Sequence, residues 1–168
     1  ELNPGNAELY VVLGNFFYRL KKTSEAEAAY LKAIDTSPDE TKPYMVAAGF
    51  YDASDNAEKA LAMYEKALAL KPEDVNIMTT MAGFHLKRRQ MESAESYLAK
   101  VLEERPNFFP ARMMKGEIAA FRRDFPEAIA IFDQLIEDEP RNARAHYMKG
   151  FSHLGKGETQ VAKTSIAK

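Results

Sequence analysis

The sequence predicts an all-α fold, an α-solenoid of five stacked helix-turn-helix repeats with about ten helices, and three observations predict it. Five of the eight prolines, Pro4, Pro38, Pro72, Pro106 and Pro140, stand 34 residues apart. Repeats laid out from Ala7, Thr41, Val75, Phe109 and Ala143 keep two small columns without an insertion: the twentieth residue is always alanine (Ala26, Ala60, Ala94, Ala128, Ala162), and the eighth is Gly14, Ala48, Ala82, Gly116 or Gly150. Within each repeat the apolar residues recur at helical rather than alternating spacing. A compact, non-repeating enzyme domain has no reason to keep such a beat.

The repeats are 7–40, 41–74, 75–108, 109–142 and 143–168, one solenoid domain whose last repeat is truncated, with residues 1–6 as the tail of a preceding repeat. In the first, Tyr10, Leu13, Phe17 and Leu20 share one face of a first helix, and Ala26, Tyr30 and Ala33 share one face of a second. Ser24-x-x-Glu27 reads as the capping box that opens that second helix; Asp55-x-x-Glu58 and Asp124-x-x-Glu127 read likewise in the second and fourth repeats. Pro43, Pro110 and Pro126 fall in predicted first turns, and the repeating prolines fall where second helices stop. Four residues beyond each fixed alanine stands a large apolar side chain, Tyr30, Tyr64, Leu98, Phe132 or Ile166; three further on stand Ala33, Ala67, Val101 and Leu135. Small residues at fixed points let two helix backbones approach, and the large one plugs the next gap. The chain stops at Lys168 inside a second helix, leaving Val161 and Ile166 without a successor to pack on. It therefore reads as a piece of a longer array whose open end frays or associates end to end with another copy.

Composition is that of an ordinary soluble protein, 46% hydrophobic and 29% charged, without an apolar run that would insert into a membrane. A net charge of −2 lacks the cation excess that phosphate neutralisation demands, so nucleic acid is not the expected partner. With no cysteine, disulfides and thiolate metal sites are excluded, and reducing and oxidising compartments fit equally, cytoplasm and periplasm alike. There is no G-x-S-x-G elbow, no phosphate-binding glycine loop and no H-E-x-x-H, so neither an enzyme activity nor a cofactor is expected. His85, His146 and His153 read as packing residues before they read as a zinc site. Lys87-Arg88-Arg89 and Arg122-Arg123 close successive first helices, where the helix dipole favours cations and where an acidic partner would find them.

The 34-residue period, the small eighth residue, the alanine at twenty, the aromatic at twenty-four and the proline at thirty-two resemble the tetratricopeptide repeat, over essentially the whole chain. The resemblance implies a right-handed superhelix and a protein-binding role, and its proline-closed units are similar to long bacterial arrays. Departures are local. The family's bulky fourth residue is Tyr10, Tyr44 and Met78 but then Arg112 and His146, and the seventh changes from Leu13 to Lys115 and Lys149. A pentatricopeptide RNA reader would have a 35-residue period and a basic groove.

In the resembling family, residues two, five, six, nine, twelve and thirteen of each repeat line a concave groove. Here they include Val11, Val12, Asn15 and Tyr18, then Met45 and Val46, Thr79 and Thr80, Met113, Met114 and Phe121, and finally Tyr147, Met148 and Phe151. The clamp that co-chaperones of this family close on a chaperone tail's carboxylate needs converging Lys, Asn and Arg. No starting repeat supplies those charges; the first offers Val11, Asn15, Val46, Asn76 and Thr80. The Met-rich stripe admits two readings: a groove for an apolar or amphipathic segment of a protein or peptide partner, or core filler against the next helix. The competing roles are an architectural spacer in a larger bacterial export or exopolysaccharide-associated assembly, and a recruiting array for an enzyme whose catalytic domain lies outside residues 1–168.

Overall fold

Two turn types, each repeated, cut the chain into helices. The computed structural model describes residues 6–166. Among them are ten helices, α1 (Ala7–Arg19), α2 (Thr23–Thr36), α3 (Thr41–Ala53), α4 (Ala57–Leu70), α5 (Val75–Lys87), α6 (Met91–Glu104), α7 (Phe109–Phe121), α8 (Phe125–Asp138), α9 (Ala143–Gly155) and α10 (Thr159–Ile166). Pro4, the side chain of Ile166 and the last two residues lie outside what is described. First helices thus begin at the residues from which the repeats were laid out.

Within a repeat, the turn from first to second helix is a Schellman motif. The N–H of residue sixteen donates to the carbonyl of residue eleven, as in Lys22 to Phe17 at 2.9 Å, Asn56 to Tyr51 at 2.8 Å and Asp124 to Ala119 at 2.9 Å. Residue fifteen is left-handed: Lys21, Asp55, Arg89 and Arg123 have φ between 57° and 66°, and Gly157 has φ 83°. Only the last of these is a residue without a Cβ penalty there. This turn corrects two of the expected caps. The N-cap of α4 is Asn56, accepting from the Lys59 N–H at 3.2 Å, while Asp55 occupies the left-handed site one residue earlier. The N-cap of α2 is Lys22, which has no acceptor, and Ser24 lies inside the helix. Turn geometry fixes the cap at residue sixteen, so a capping side chain one or two residues away cannot be used. Asp124 does stand at sixteen and accepts from Glu127 N–H at 3.2 Å.

Between repeats, second helices stop at an extended residue followed by proline: Ser37, Lys71, Arg105 and Glu139 have φ between −130° and −138° and ψ between 71° and 83°. Position thirty-four then caps the next first helix where its side chain can accept, through Asn6, Asp74 and Asn142.

The chain divides into two compact units at Met81–Ala82, within α5. In the first, α1 packs on α2, α2 on α3, α3 on α4, and α1 also touches α3. In the second, α6 packs on α7, α7 on α8, α8 on α9, α9 on α10, and α7 touches α9. Within each unit these helices therefore meet their sequence neighbours and a first helix meets the next, the packing rule of a solenoid. The twentieth-residue alanines are all fully buried, and Tyr30, Tyr64, Leu98 and Phe132 are buried beside them. The eighth column is small for a steric reason. A Cβ on Gly14 would lie 2.5 Å from the Tyr30 ring, and one on Gly116 would lie 2.7 Å from Phe132. Leu20 departs from its expected place: it caps α1 and is exposed, and the buried face of that helix is Ala7, Val11 and Gly14.

Where cations replace apolar residues in the fourth and fifth repeats, carboxylates meet them. Arg112 pairs with Asp138, Lys115 with Glu127 at 3.7 Å and Lys149 with Asp133 at 2.5 Å. The His146 Nε2 lies 2.8 Å from the Pro140 carbonyl.

Candidate partner-binding surface

The groove columns sort by burial, and each sorting has a packing cause. Position five is mostly core: Val11 packs with Ala7 and Ala33, Met113 with Phe132 and Leu135, and Thr79 is buried with its hydroxyl donating to the Val75 carbonyl at 2.6 Å. These three are therefore not part of an open surface. Met45, Val46, Met114 and Met148 are half-buried, so methionine here fills gaps more than it faces solvent. Val12, Asn15, Tyr18, Thr80, Phe121, Tyr147 and Phe151 are exposed.

Polar groups in these columns satisfy one another. The Tyr30 hydroxyl donates to Asn15 Oδ1 at 2.8 Å, and Lys42 reaches Glu8, its counterpart in the preceding repeat, at 2.6 Å. Arg144 Nε donates to Glu117 Oε1 at 2.7 Å; that carboxylate is buried, with 7% of its surface exposed. Burial of a charge is tolerated only when it is paired, so Arg144 is tied to the α7 face. Tyr18 meets the buried Phe50 in a T-shaped contact, centroids 5.7 Å apart, and stays exposed.

No methionine is among the large apolar residues that remain open on the first helices, and most of those that do are aromatic. On α9, Tyr147, Phe151 and Leu154 follow one another at helical spacing, 56%, 40% and 46% exposed, and Phe121 at the end of α7 is 61% exposed. Between these helices lies an open pocket of about 290 Å³, lined by Ala120, Phe121, Arg123, Phe125, Phe151 and Gly155. Within its lining Phe125 lies directly against Gly155: a Cβ on Gly155 would fall 2.2 Å from the Phe125 ring. Phe125 was not among the sequence candidates. Its signal was an aromatic at position seventeen, where the other repeats hold Thr23, Ala57, Met91 and Thr159.

The basic turns differ from one another. Arg122 is held by Glu95 and Glu92 of α6, so it is committed within the fold. Arg88 lies over the Phe84 ring, 3.8 Å from its centroid, and donates to the Phe84 carbonyl. The histidines sit in separate packing roles. His85 Nδ1 meets Gln90 at 2.7 Å with its ring stacked on Tyr97, and His153 Nδ1 meets Glu158 at 2.6 Å. In both cases residue eleven reaches the N-cap residue of the following helix. Among the described residues no three His, Asp or Glu side chains gather as a metal site requires, and no helix is long and apolar enough to cross a membrane.

Three models of the tetratricopeptide repeat match the chain, over residues 7–40, 53–118 and 113–162. Among curated proteins none matches. Among solved structures, a tetratricopeptide repeat protein from Parabacteroides merdae superposes with a TM-score of 0.84 at 24% identity, covering 99% of this chain and 65% of its own. This chain therefore spans about two thirds of that protein's length. YrrB, described as a tetratricopeptide protein with an unusual peptide-binding site, gives 0.68 at 25% identity over 98% of this chain and 85% of its own. Pseudomonas aeruginosa pilF gives 0.78 at 16% identity over 96% and 75%. The fold is generally a non-catalytic one that serves as a protein–protein interaction scaffold. Repeat columns, helix pairs, family matches and structural likeness agree, and the chain belongs to the tetratricopeptide-repeat family.

Proposed function

We propose that the chain binds an apolar or amphipathic segment of a partner protein along the open faces of its first helices. The observation that carries this reading is the contrast within those faces: most of their charges are engaged in internal pairs, such as Arg144 with Glu117 and Lys42 with Glu8, while Phe121, Tyr147, Phe151 and Leu154 stay open. A partner gains by covering large apolar side chains and has few free charges to meet. In the first compact unit the corresponding open residues are Val12 and Tyr18. Within the first unit Val11 and Thr79 are buried and Met45 and Val46 half-buried, and within the second Met113 is buried and Met114 and Met148 half-buried; in each unit the half-buried side chains supply an adaptable bed.

Selection of random displayed peptides on the immobilised chain tests the reading. Enrichment of sequences with apolar residues at helical or alternating spacing, lost on Tyr147→Lys or Val12→Lys, is the expected outcome. Enrichment of charged sequences without apolar residues, or selection indifferent to both variants, refutes it.

A further inference from the structure

The pocket between α7 and α9 is unlike any other place in the repeat pattern. Position thirteen holds Arg19, Ala53 and Lys87 before Phe121 and Gly155; position nine holds Asn15, Gly49, Gly83 and Glu117 before Phe151. Three columns that carry no aromatic in the first three repeats thus converge on one cup, as Phe121, Phe125 and Phe151. Gly155 is what admits Phe125, because any side chain there would overlap the ring. The cup's size suits one large side chain, being at the lower edge of what small-molecule sites occupy.

Charge adds a second condition on the occupant. Arg123 is the one charged residue in the lining and is exposed; among the described residues its guanidinium meets no carboxylate. Its neighbour Arg122 is held by two glutamates, which leaves Arg123 as the free cation of that turn among the described residues. The residue also sits at φ 66°, a conformation that glycine would adopt with less strain.

From this juxtaposition, and resting on the scaffold reading above, we infer that the cup is a subsite for one aromatic or large aliphatic side chain of a partner protein, next to an Asp or Glu that pairs with Arg123. The rings bury the apolar side chain, and Arg123, at the rim, orients the segment by its flanking carboxylate. The subsite recognises an acid-flanked apolar residue, and a basic-flanked one is disfavoured by Arg123.

The chain contains no tryptophan, so a tryptophan peptide reports its own binding by fluorescence. The probes are Gly-Asp-Trp-Asp-Gly and Gly-Lys-Trp-Lys-Gly, blocked at both ends, titrated into the full chain. A blue shift saturating with a dissociation constant on the order of a millimolar is expected for the acidic peptide, with about threefold to fivefold weaker binding of the basic one. Phe121→Ser, an exposed position, weakens both peptides about fivefold or more. Arg123→Gly removes only the preference between them, and because it relieves the left-handed backbone its loss of selectivity cannot be assigned to unfolding. Equal binding of the two peptides to the unsubstituted chain, or insensitivity to Phe121→Ser, overturns the inference. So does a dimer in sedimentation that Phe121→Ser dissociates, since a second copy would then be the occupant. If displayed peptides select on the chain as expected but are indifferent to Phe121→Ser and Arg123→Gly, the subsite fails and the scaffold reading stands. If no peptide is selected at all, both fail.

Discussion

Replacing Gly14 and Gly49 by alanine, one at a time, gives the same chemical change in two neighbouring first helices and should give opposite results. In a helix interior alanine is favoured over glycine by about 1 kcal/mol, a gain both variants share. At Gly49 nothing lies within 4 Å of the new Cβ, so the gain stands alone and the variant is stabilised by about that amount. At Gly14 the new Cβ falls 2.5, 2.6 and 2.9 Å from three carbons of the Tyr30 ring. Ordinary carbon contacts are about 3.5–4.0 Å, so the ring must withdraw by roughly 1 Å. Overpacking of that kind costs about 1–3 kcal/mol, and that penalty is the difference between the two variants.

The size of the penalty depends on what pins the ring. Repeat two carries Ala48 and Tyr64 natively, so an alanine at eight and a tyrosine at twenty-four can coexist. What repeat one adds is the 2.8 Å bond from the Tyr30 hydroxyl to Asn15, at a position where repeat two has Gly49. A ring that withdraws from the added methyl group gives up that bond, worth about 1 kcal/mol. The double replacement Gly14→Ala with Asn15→Ala should therefore be less destabilised than the sum of the singles by about 0.5–1 kcal/mol. Urea unfolding followed by circular dichroism measures each of these variants, and a shift in midpoint at constant slope marks a change in stability. If Gly14→Ala proves as stable as Gly49→Ala, the small eighth column does not exist to admit the large residue sixteen positions later.

Three other outcomes follow from the same contacts. Lys21→Gly and Asp55→Gly relieve left-handed residues at φ 60° and 57° and should each stabilise by about 0.5–1 kcal/mol, whereas Gly157→Ala at φ 83° should destabilise by about 1 kcal/mol in the same urea melts. The Glu27 carboxyl is held below its ordinary value of 4.5 by hydrogen bonds from Lys59 and from the Tyr51 hydroxyl, so its contribution is complete above that value and is lost as pH falls through the lower folded one. Thermal melts between about pH 5 and pH 3 should then show a steeper loss for the unsubstituted chain than for Glu27→Gln, and parallel curves would refute the linkage. Arg144→Met strands the buried Glu117 carboxylate at a cost of about 1–3 kcal/mol, and adding Glu117→Gln should return most of it; additive losses in urea melts would show that the pair is not coupled.

Helix placement was legible because packing repeats. A residue that must be small wherever two helices cross, or large wherever a gap opens, recurs at a fixed interval, and Ala26, Ala60, Ala94, Ala128 and Ala162 are all fully buried. Caps were less legible for a reason of scale. A capping box is a four-residue pattern, but the Schellman turn fixes its register from the preceding helix, so Ser24 and Asp55 looked right and stood one or two residues away. Groove columns were misleading at position five. A column number states which way a Cβ leaves the helix, while burial depends on what the next helix brings, and Ala33 and Val46 cover Val11 in a way that no count along α1 foretells.

The same logic explains where the open surface was hidden in the sequence. Packing imposes sameness on a column, so a residue that serves packing is found by its recurrence. A residue that fails to recur serves something particular to its own repeat: Arg112, Lys115 and Lys149 meet internal carboxylates, whereas Phe121, Phe125 and Phe151 line one open pocket. Phe121, Phe125 and Phe151 break columns that otherwise hold small, polar or flexible side chains, and Gly155, in the same column as Phe121, leaves the room that Phe125 fills. The methionines of positions five and six, by contrast, lie deeper than the aromatics: Met113 is buried and Met45, Met114 and Met148 are half-buried. Four of the departures from the pattern, Phe121, Phe125, Phe151 and Gly155, meet at one pocket of α7, α8 and α9.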